Sequence, residues 1–411
     1  MLALSDAGEL GFDGERLARI DEFIERQYIA TGRLNNAQVL VARGGQPVHY
    51  AHFGSLRDDG TGMREDALFR IASMTKPVTS IAFMQLVERC AVAVDDPVAR
   101  VIPEFAELGV YTGGGGALPF APARRGKPMR FVDLLTHMSG LTYGFQNRSS
   151  IDAAYRDAQL DLSRGSLTSD EYIAKLAQIP LEFEPGSSWN YSVSTDVIGI
   201  AVERLSGMSL GVYLAEHVFG PLEMVDTGFD VPEDKAERLA DAYGYRPGKT
   251  PRLVDRAVES RLLQPAKFHS GGGGLVGTIA DYHRFCTMLL NKGKLDGAWI
   301  VAPKTLDLMT ANQLPDGADL TETSRSLFSE ANNAGTGFGL GFAMVIDPAK
   351  TLMPASKGEF YWGGAYSTAF FVDPVERITM VFMTQLYPSS TYPIRRQLKT
   401  LIYSALTDSH A

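Results

Sequence analysis

Strand-forming segments crowd the two ends of this chain and are scarce in its middle, and that distribution limits the available folds more than any other feature. Ala37–Arg43 and Pro47–Phe53 read as strands separated by Gly44-Gly45, a hairpin signal. Far down the chain, Phe338–Ile346, Ser367–Val372 and Ile378–Thr384 read as three more. A hairpin pairs antiparallel, and the late strands can extend it only if both chain ends build one sheet. Helices to cover that sheet stand beside it. Residues 14–28 carry Leu17, Ile20, Phe23 and Ile24 at helical spacing behind Asp13, a candidate N-cap. Ile394, Leu398, Leu401, Ile402 and Ala405 form one face of a closing helix. In between, Pro77–Arg89, Phe131–His137, Asp170–Gln178, Ser194–Leu205 and Leu210–Val218 read as helices, and Gly113–Gly116 as a flexible loop. The expected fold is α/β, an antiparallel sheet flanked by helices with a mostly helical second domain. Residues 1–75 and 236–411 make the sheet domain, and 76–235 the helical one.

Composition removes several classes of function. The chain has 411 residues, too many for one typical core, and a net charge of −9. Its longest basic block is Arg124-Arg125-Gly126-Lys127, which argues against nucleic acid as a partner. No apolar run approaches the ~18 residues of a spanning helix, so no membrane is expected. The first residues lack the basic and apolar regions of a secretory signal, and the expected location is cytoplasmic. Cys90 and Cys286 are too few for a disulfide scaffold or a Cys-rich metal site. Both lie in apolar helix-like stretches and are expected as buried, reduced thiols.

Three motifs mislead. Gly207-Met208-Ser209-Leu210-Gly211 matches the G-x-S-x-G nucleophile elbow, which needs a strand before its serine. Here Val197, Ile198, Ala201, Val202 and Leu205 precede it at helical spacing. Gly207 reads as a helix C-cap and Ser209 as the next N-cap. Gly244–Thr250 resembles a P-loop but is one residue short between its glycines, with no strand-like run leading in. His49 and His52 fall on opposite faces of a strand and cannot share a metal. His137, at a helix end, reads as structural.

Ser73-Met74-Thr75-Lys76 fits S-x-x-K in a productive setting. A short extended stretch, Ala67–Ala72, precedes it, and an apolar helix-like run follows. Residues i and i+3 share a helix face about 5–6 Å apart, so a hydroxyl stands beside an amine. At a helix N-terminus, free backbone N–H groups and the dipole also favour a developing oxyanion. A serine hydroxyl is a weak nucleophile and needs a base. A lysine serves as that base only when deprotonated, which takes roughly 4 kcal/mol of help from its surroundings. A second proton carrier reduces the demand.

Further segments stand in order along the chain: Leu134-Leu-Thr-His-Met-Ser-Gly-Leu141, Pro185-Gly-Ser-Ser-Trp-Asn-Tyr191, Ser270-Gly-Gly-Gly-Gly-Leu275 and Trp362-Gly-Gly. Together with Ser73 and Lys76 they give a chain that resembles, over nearly its whole length, the serine β-lactamase and penicillin-binding protein superfamily. Within it the resemblance is to the family VIII carboxylesterases, which are similar to class C β-lactamases. That implies a β-lactamase/transpeptidase-like fold. It implies Ser73 as nucleophile, Lys76 as its partner and Tyr191 as the tyrosine of the family's Tyr-x-Asn position. The family's Lys-Thr-Gly strand becomes Trp362-Gly363-Gly364. By that match the backbone N–H groups of Ser73 and Ala365 form the oxyanion hole, each worth about 2.7–4 kcal/mol of barrier. Trp362, Gly363, Gly364 and Tyr143 would line the substrate pocket. No metal and no organic cofactor is implied.

This chain departs from the family pattern at three positions. Val193 replaces the asparagine of Tyr-x-Asn, Trp362 the lysine of Lys-Thr-Gly, and Gly363 its threonine. A large apolar ring then lines the edge where related enzymes orient a substrate carboxylate. The expected substrate is therefore a small neutral ester of short-to-medium acyl chain, cleaved through an acyl-enzyme on Ser73, with weak action on β-lactams. The rivals are a β-lactamase or D-Ala-D-Ala carboxypeptidase, and an acyltransferase, each using the same residues. A non-catalytic binding relative is disfavoured by the presence of Ser73, Lys76 and Tyr191.

Overall fold

Both ends of the chain meet in one seven-stranded sheet. A computed structural model describes residues 3–161, 167–325 and 333–410. The strands are β1 (Asn36–Arg43), β2 (Gln46–Gly54), β3 (Thr336–Phe338), β4 (Ala343–Val345), β5 (Phe360–Gly363), β6 (Ala369–Asp373) and β7 (Ile378–Met383). They lie in the order β3-β4-β5-β6-β7-β1-β2, and every neighbouring pair is antiparallel. The chain-spanning pair is β1 with β7, where Leu40 stands opposite Val381 and Val39 opposite Phe382.

Strand alternation divides the apolar side chains between the two faces. Val39, Val41, Phe371, Met380 and Phe382 pack against helix α1 (Gly14–Ile24) and the closing helix α5 (Ile394–Ser404). Leu40, Phe370, Val372 and Val381 belong to the larger core, together with α4 (Ile279–Leu290). Asp13 caps α1 by accepting from the Arg16 N–H, and Thr278 caps α4 by accepting from the Asp281 N–H. Two further helices carry the site: α2 (Thr75–Glu88), and α3 (Ser194–Ser206), which packs on α2. Among the described residues no single helix is long and apolar enough to cross a membrane.

Several expectations need correction. Phe338–Ile346 is not one strand. It is divided between β3 and β4, because the intervening N–H groups of Leu340 and Gly341 bond to the carbonyls of Met309 and Leu135. Seven strands therefore form where five were expected, β5 being the other addition. Gly113–Gly116 is not a free loop but the tip of a hairpin between Val110–Gly115 and Leu118–Ala123. Gly244–Thr250 does carry a strand, Ala242–Arg246, but that strand turns back into Lys249–Asp255 rather than into a helix. Cys286 is buried, whereas Cys90 is exposed. Cys90 lies beyond the end of α2 with φ 57°, a left-handed residue that has already left the helix's buried face.

Candidate active site

Ser73 lies in a short 3₁₀ turn, Ala72–Met74, that runs directly into α2. The residue before it, Ala72, has φ 45°, in the left-handed region that a β-carbon disfavours. The surroundings hold this turn from several sides. The Ile71 N–H bonds to Leu275 O at 3.1 Å, and Thr75 Oγ1 donates to Ala72 O at 2.6 Å. Thr368 Oγ1 donates to Ile71 O at 3.3 Å, and Tyr282 Oη to Met74 O at 2.9 Å. Backbone strain of this kind persists only where packing over-determines it. Pro77, third residue of α2, falls where no intrahelical N–H is required.

Lys76 is 1% exposed. Its Nζ lies 3.2 Å from Ser73 Oγ, 3.1 Å from Tyr143 Oη and 2.6 Å from the carbonyl oxygen of Gly272. Tyr191, 118 residues beyond Ser73, brings its Oη to 2.7 Å from Ser73 Oγ. The same Lys76 Nζ sits 4.7 Å from the centre of the Tyr191 ring. The three side chains singled out by sequence thus stand within hydrogen-bonding reach of one another through Ser73. Tyr143, expected only as a pocket wall, is a direct partner of Lys76. Burial first, then the charge of Asp196, pushes its phenol well above the usual range.

The end of β5 passes alongside the Ser73 turn. Trp362 packs on Tyr191 at 5.5 Å between ring centres and on Phe338 at 5.4 Å. Gly364 has no room for a side chain, since a β-carbon there would collide with Thr368 Oγ1 and Ile71 O. That close approach brings Ala365 to the cavity beside Ser73. Among the described residues, the backbone N–H groups of Ser73 and Ala365 have no acceptor. Behind Gly363 lies the Arg395 guanidinium, whose Nη2 donates to the carbonyls of Gly364 and Thr368, both at 2.9 Å. Arg395 thereby holds the turn that presents Ala365, a role with no local sequence signature.

A second side of the site joins Ser270–Gly274, which the sequence showed as a motif, to Asp196, which the sequence reading missed. Ser270–Gly274 wraps between α2 and α3, and Asp196 in the first turn of α3 accepts from Ser270 Oγ and the Gly272 N–H. A β-carbon on Gly272 would collide with the Asp196 carboxylate. An acid directly before the apolar run Val197–Val202 was the available signal. His137 is buried, 3.2 Å from Ser192 Oγ, with its ring against Tyr191. Burial, then the positive charge of Lys76, pushes it well below the usual histidine range, in keeping with a neutral packing residue. Ser209 is exposed and caps the helix Leu210–Leu214 by accepting from the Val212 N–H, after Gly207 ends α3 in the left-handed conformation.

The cavity over Ser73 has a volume of about 1180 Å³ and is walled near the serine by Tyr143, Phe145, Trp189, Tyr191 and Trp362. Among the described residues, no three of His, Cys, Asp and Glu stand together as a metal site would need. The arrangement joins a hydroxyl, two adjoining proton carriers and two unengaged N–H donors in an aromatic cleft. Acyl transfer to a serine requires that set.

Comparison with known proteins agrees in kind. The family described as Beta-lactamase matches residues 22–403. Protein Rv1367c of Mycobacterium tuberculosis is 39% identical over 336 residues, 80% of each chain. Esterase EstB of Burkholderia gladioli is 32% identical over 407 residues, covering 94% of this chain and 95% of its own. Among solved structures EstCE1, described as a hydrolase with promiscuous acyltransferase activity, superimposes with a TM-score of 0.79 at 25% identity. That match covers 96% of this chain and 99% of EstCE1.

Proposed function

The chain belongs to the beta-lactamase family, in its family VIII esterase branch, and from that premise we propose that it hydrolyses short-to-medium-chain carboxylic esters through an acyl-enzyme on Ser73. The observation that carries this reading is the position of Ser73 Oγ, 2.7 Å from Tyr191 Oη and 3.2 Å from Lys76 Nζ. In this reading Ser73 attacks the ester carbonyl while the Tyr191–Lys76 pair takes up its proton. The N–H groups of Ser73 and Ala365 stabilise the oxyanion. The proton then passes to the departing alkoxide, and water, activated by the same pair, releases the acid. The reaction lies in the cleft between the part built from residues 1–75 and 236–411 and the helical part, 76–235.

The preference for neutral esters rests on Trp362 and Gly363, which put an indole ring and a bare backbone at the substrate edge. Turnover of p-nitrophenyl butyrate against nitrocefin tests it. The expected result is a burst matching the enzyme concentration followed by fast ester turnover, with nitrocefin cleaved slowly or not at all. Faster nitrocefin turnover would make the protein a β-lactamase. Added alcohol should leave the acid as the main product, and a dominant new ester would make it an acyltransferase.

A further inference from the structure

Helix α5 turns one polar stripe toward the sheet. Arg395, Lys399 and Tyr403 stand four residues apart, so they share one face of the helix. Each reaches β5 or its flanks. Arg395 Nη2 donates to the carbonyls of Gly364 and Thr368, just past the end of β5. Lys399 Nζ donates to Glu359 Oε1 at 2.5 Å, just before β5 begins. Tyr403 Oη lies 2.8 Å from Glu359 Oε2 and 2.5 Å from Oδ2 of Asp373, the last residue of β6. The stripe thereby rivets both ends of the strand that leads into Ala365.

The hydrogens of this cluster do not suffice unless one acid keeps its proton. Glu359 and Asp373 are fully buried, and Lys399 nearly so. Two ionised acids against one ammonium leave a net negative charge out of water, a costly state. The Tyr403 phenol has a single hydrogen to offer two carboxyl groups. Asp373 is already well served as an acceptor. Ser356 Oγ donates to its Oδ2 at 2.6 Å, and the Val375 and Glu376 N–H groups to its Oδ1 at 2.8 and 3.1 Å. With the phenol hydrogen on the shorter contact, to Asp373, the contact at Glu359 Oε2 needs a hydrogen from Glu359 itself.

We propose that Glu359 is held protonated at neutral pH, donating to Tyr403 Oη, and that this neutral carboxyl is the positioning residue that keeps α5, and through Arg395 the Ala365 turn, in place beside Ser73. Its surroundings agree. Burial pushes the Glu359 carboxyl above the usual range, Lys399 and Tyr403 pull part of that back, and Asp373 adds to it. Tyr403 is held as a phenol by burial first and then by the two acids. Tyr361, on β5 with its ring centre 5.8 Å from Lys399 Nζ, is pushed up to about 12 by burial and also stays a phenol; the charge of Arg395 opposes that shift. When Glu359 ionises, its Oε2 and the Tyr403 oxygen face each other with no hydrogen between them, and the stripe loosens one helical turn from Arg395. The folded chain keeps a proton that the unfolded chain releases in the ordinary glutamate range. The stability this contributes is complete below that range and is lost as pH rises through the folded value of Glu359.

The inference rests on the proposed oxyanion role of the Ala365 N–H, and two of its readouts need no turnover. Glu359→Gln puts a neutral donor and acceptor in place of the carboxyl. The infrared difference spectrum between the wild type and Glu359→Gln at neutral pH should show the carbonyl stretch of a protonated carboxyl. Between the ordinary glutamate range and neutral pH, the wild-type folding constant in urea titrations should fall roughly tenfold per pH unit relative to Glu359→Gln, the mark of one proton. At alkaline pH, kcat with p-nitrophenyl butyrate should fall in the wild type with KM nearly unchanged, and hold in Glu359→Gln. A missing band, or one that Asp373→Asn removes and Glu359→Gln keeps, overturns the protonated Glu359. Equal pH dependence of the two folding constants does the same. A band with one alkaline kcat profile for both proteins overturns the positioning role. If Glu359→Gln fails to fold, the wild type decides: its spectrum must lose the band on going to alkaline pH while the amides of α5 exchange faster with deuterium, and failure of either overturns the proposal. Absence of a fluorophosphonate adduct on Ser73 overturns the underlying mechanism instead and leaves the Glu359 band as it is.

Discussion

Ser73 and Ser209 both stand at the start of a helix, and both belong to a four- or five-residue pattern associated with serine hydrolases. What surrounds them differs entirely. Ser209 is exposed and its hydroxyl accepts one bond, from the Val212 N–H. Ser73 sits after a left-handed Ala72, in a turn held by Thr75, Thr368 and Tyr282, with an amine and a phenol on its oxygen. A helix cap needs one donor and costs little to form. A nucleophile needs a base, an oxyanion site and a backbone that cannot relax away from them. The two patterns are equally brief in sequence, and only the distant residues each one gathers tell them apart.

Five substitutions would break or sharpen that contrast. Ser73→Ala has the largest expected effect, a loss of ester turnover on the order of 10⁶-fold with no burst, measured by stopped-flow with p-nitrophenyl butyrate. Lys76→Ala and Tyr191→Phe should each lower kcat by roughly 10²–10⁴-fold while circular dichroism stays native. Full activity in either variant would remove that side chain from proton transfer. Gly364→Ala is predicted to displace the Ala365 N–H, because its β-carbon meets Ile71 O and Thr368 Oγ1. Losing one oxyanion donor costs about 10²–10³-fold in kcat, with KM changed less. Ser209→Ala is the smallest: about 1 kcal/mol of stability from the lost cap, read by thermal melting, and unchanged kcat. Loss of activity there with activity kept in Ser73→Ala would reverse the two roles.

The legible parts of the fold were those fixed by local pattern. The hairpin of β1 and β2, with the strands β6 and β7 and the helices α1 and α5, showed as period-two or helical repeats long enough to count. β3 and β4 did not, because each has three residues and the break between them is set by Met309 and Leu135, remote in sequence. The hairpin tip at Gly113–Gly116 read as a loop because glycines carry no face to pattern. In the site, Ser73 and Lys76 were visible from their i, i+3 spacing, and Tyr191 through its motif. Tyr143 was visible as an aromatic near the pocket but not as the partner of Lys76. The Gly272 carbonyl was illegible, since any residue supplies one. Asp196 drew no notice in the sequence, because nothing local tells an acid in a helix first turn that grips a distant loop from one that faces water. Arg395 acts from α5 through a gap that exists only because residue 363 lacks a side chain.

Trapping the wild type with a fluorophosphonate, digesting it and mapping the modified peptide by mass spectrometry bears most directly on this mechanism. One adduct per chain, on Ser73 and absent from Ser73→Ala, is the expected result. An adduct on Ser209, or ester turnover with no covalent adduct on any serine, would contradict it.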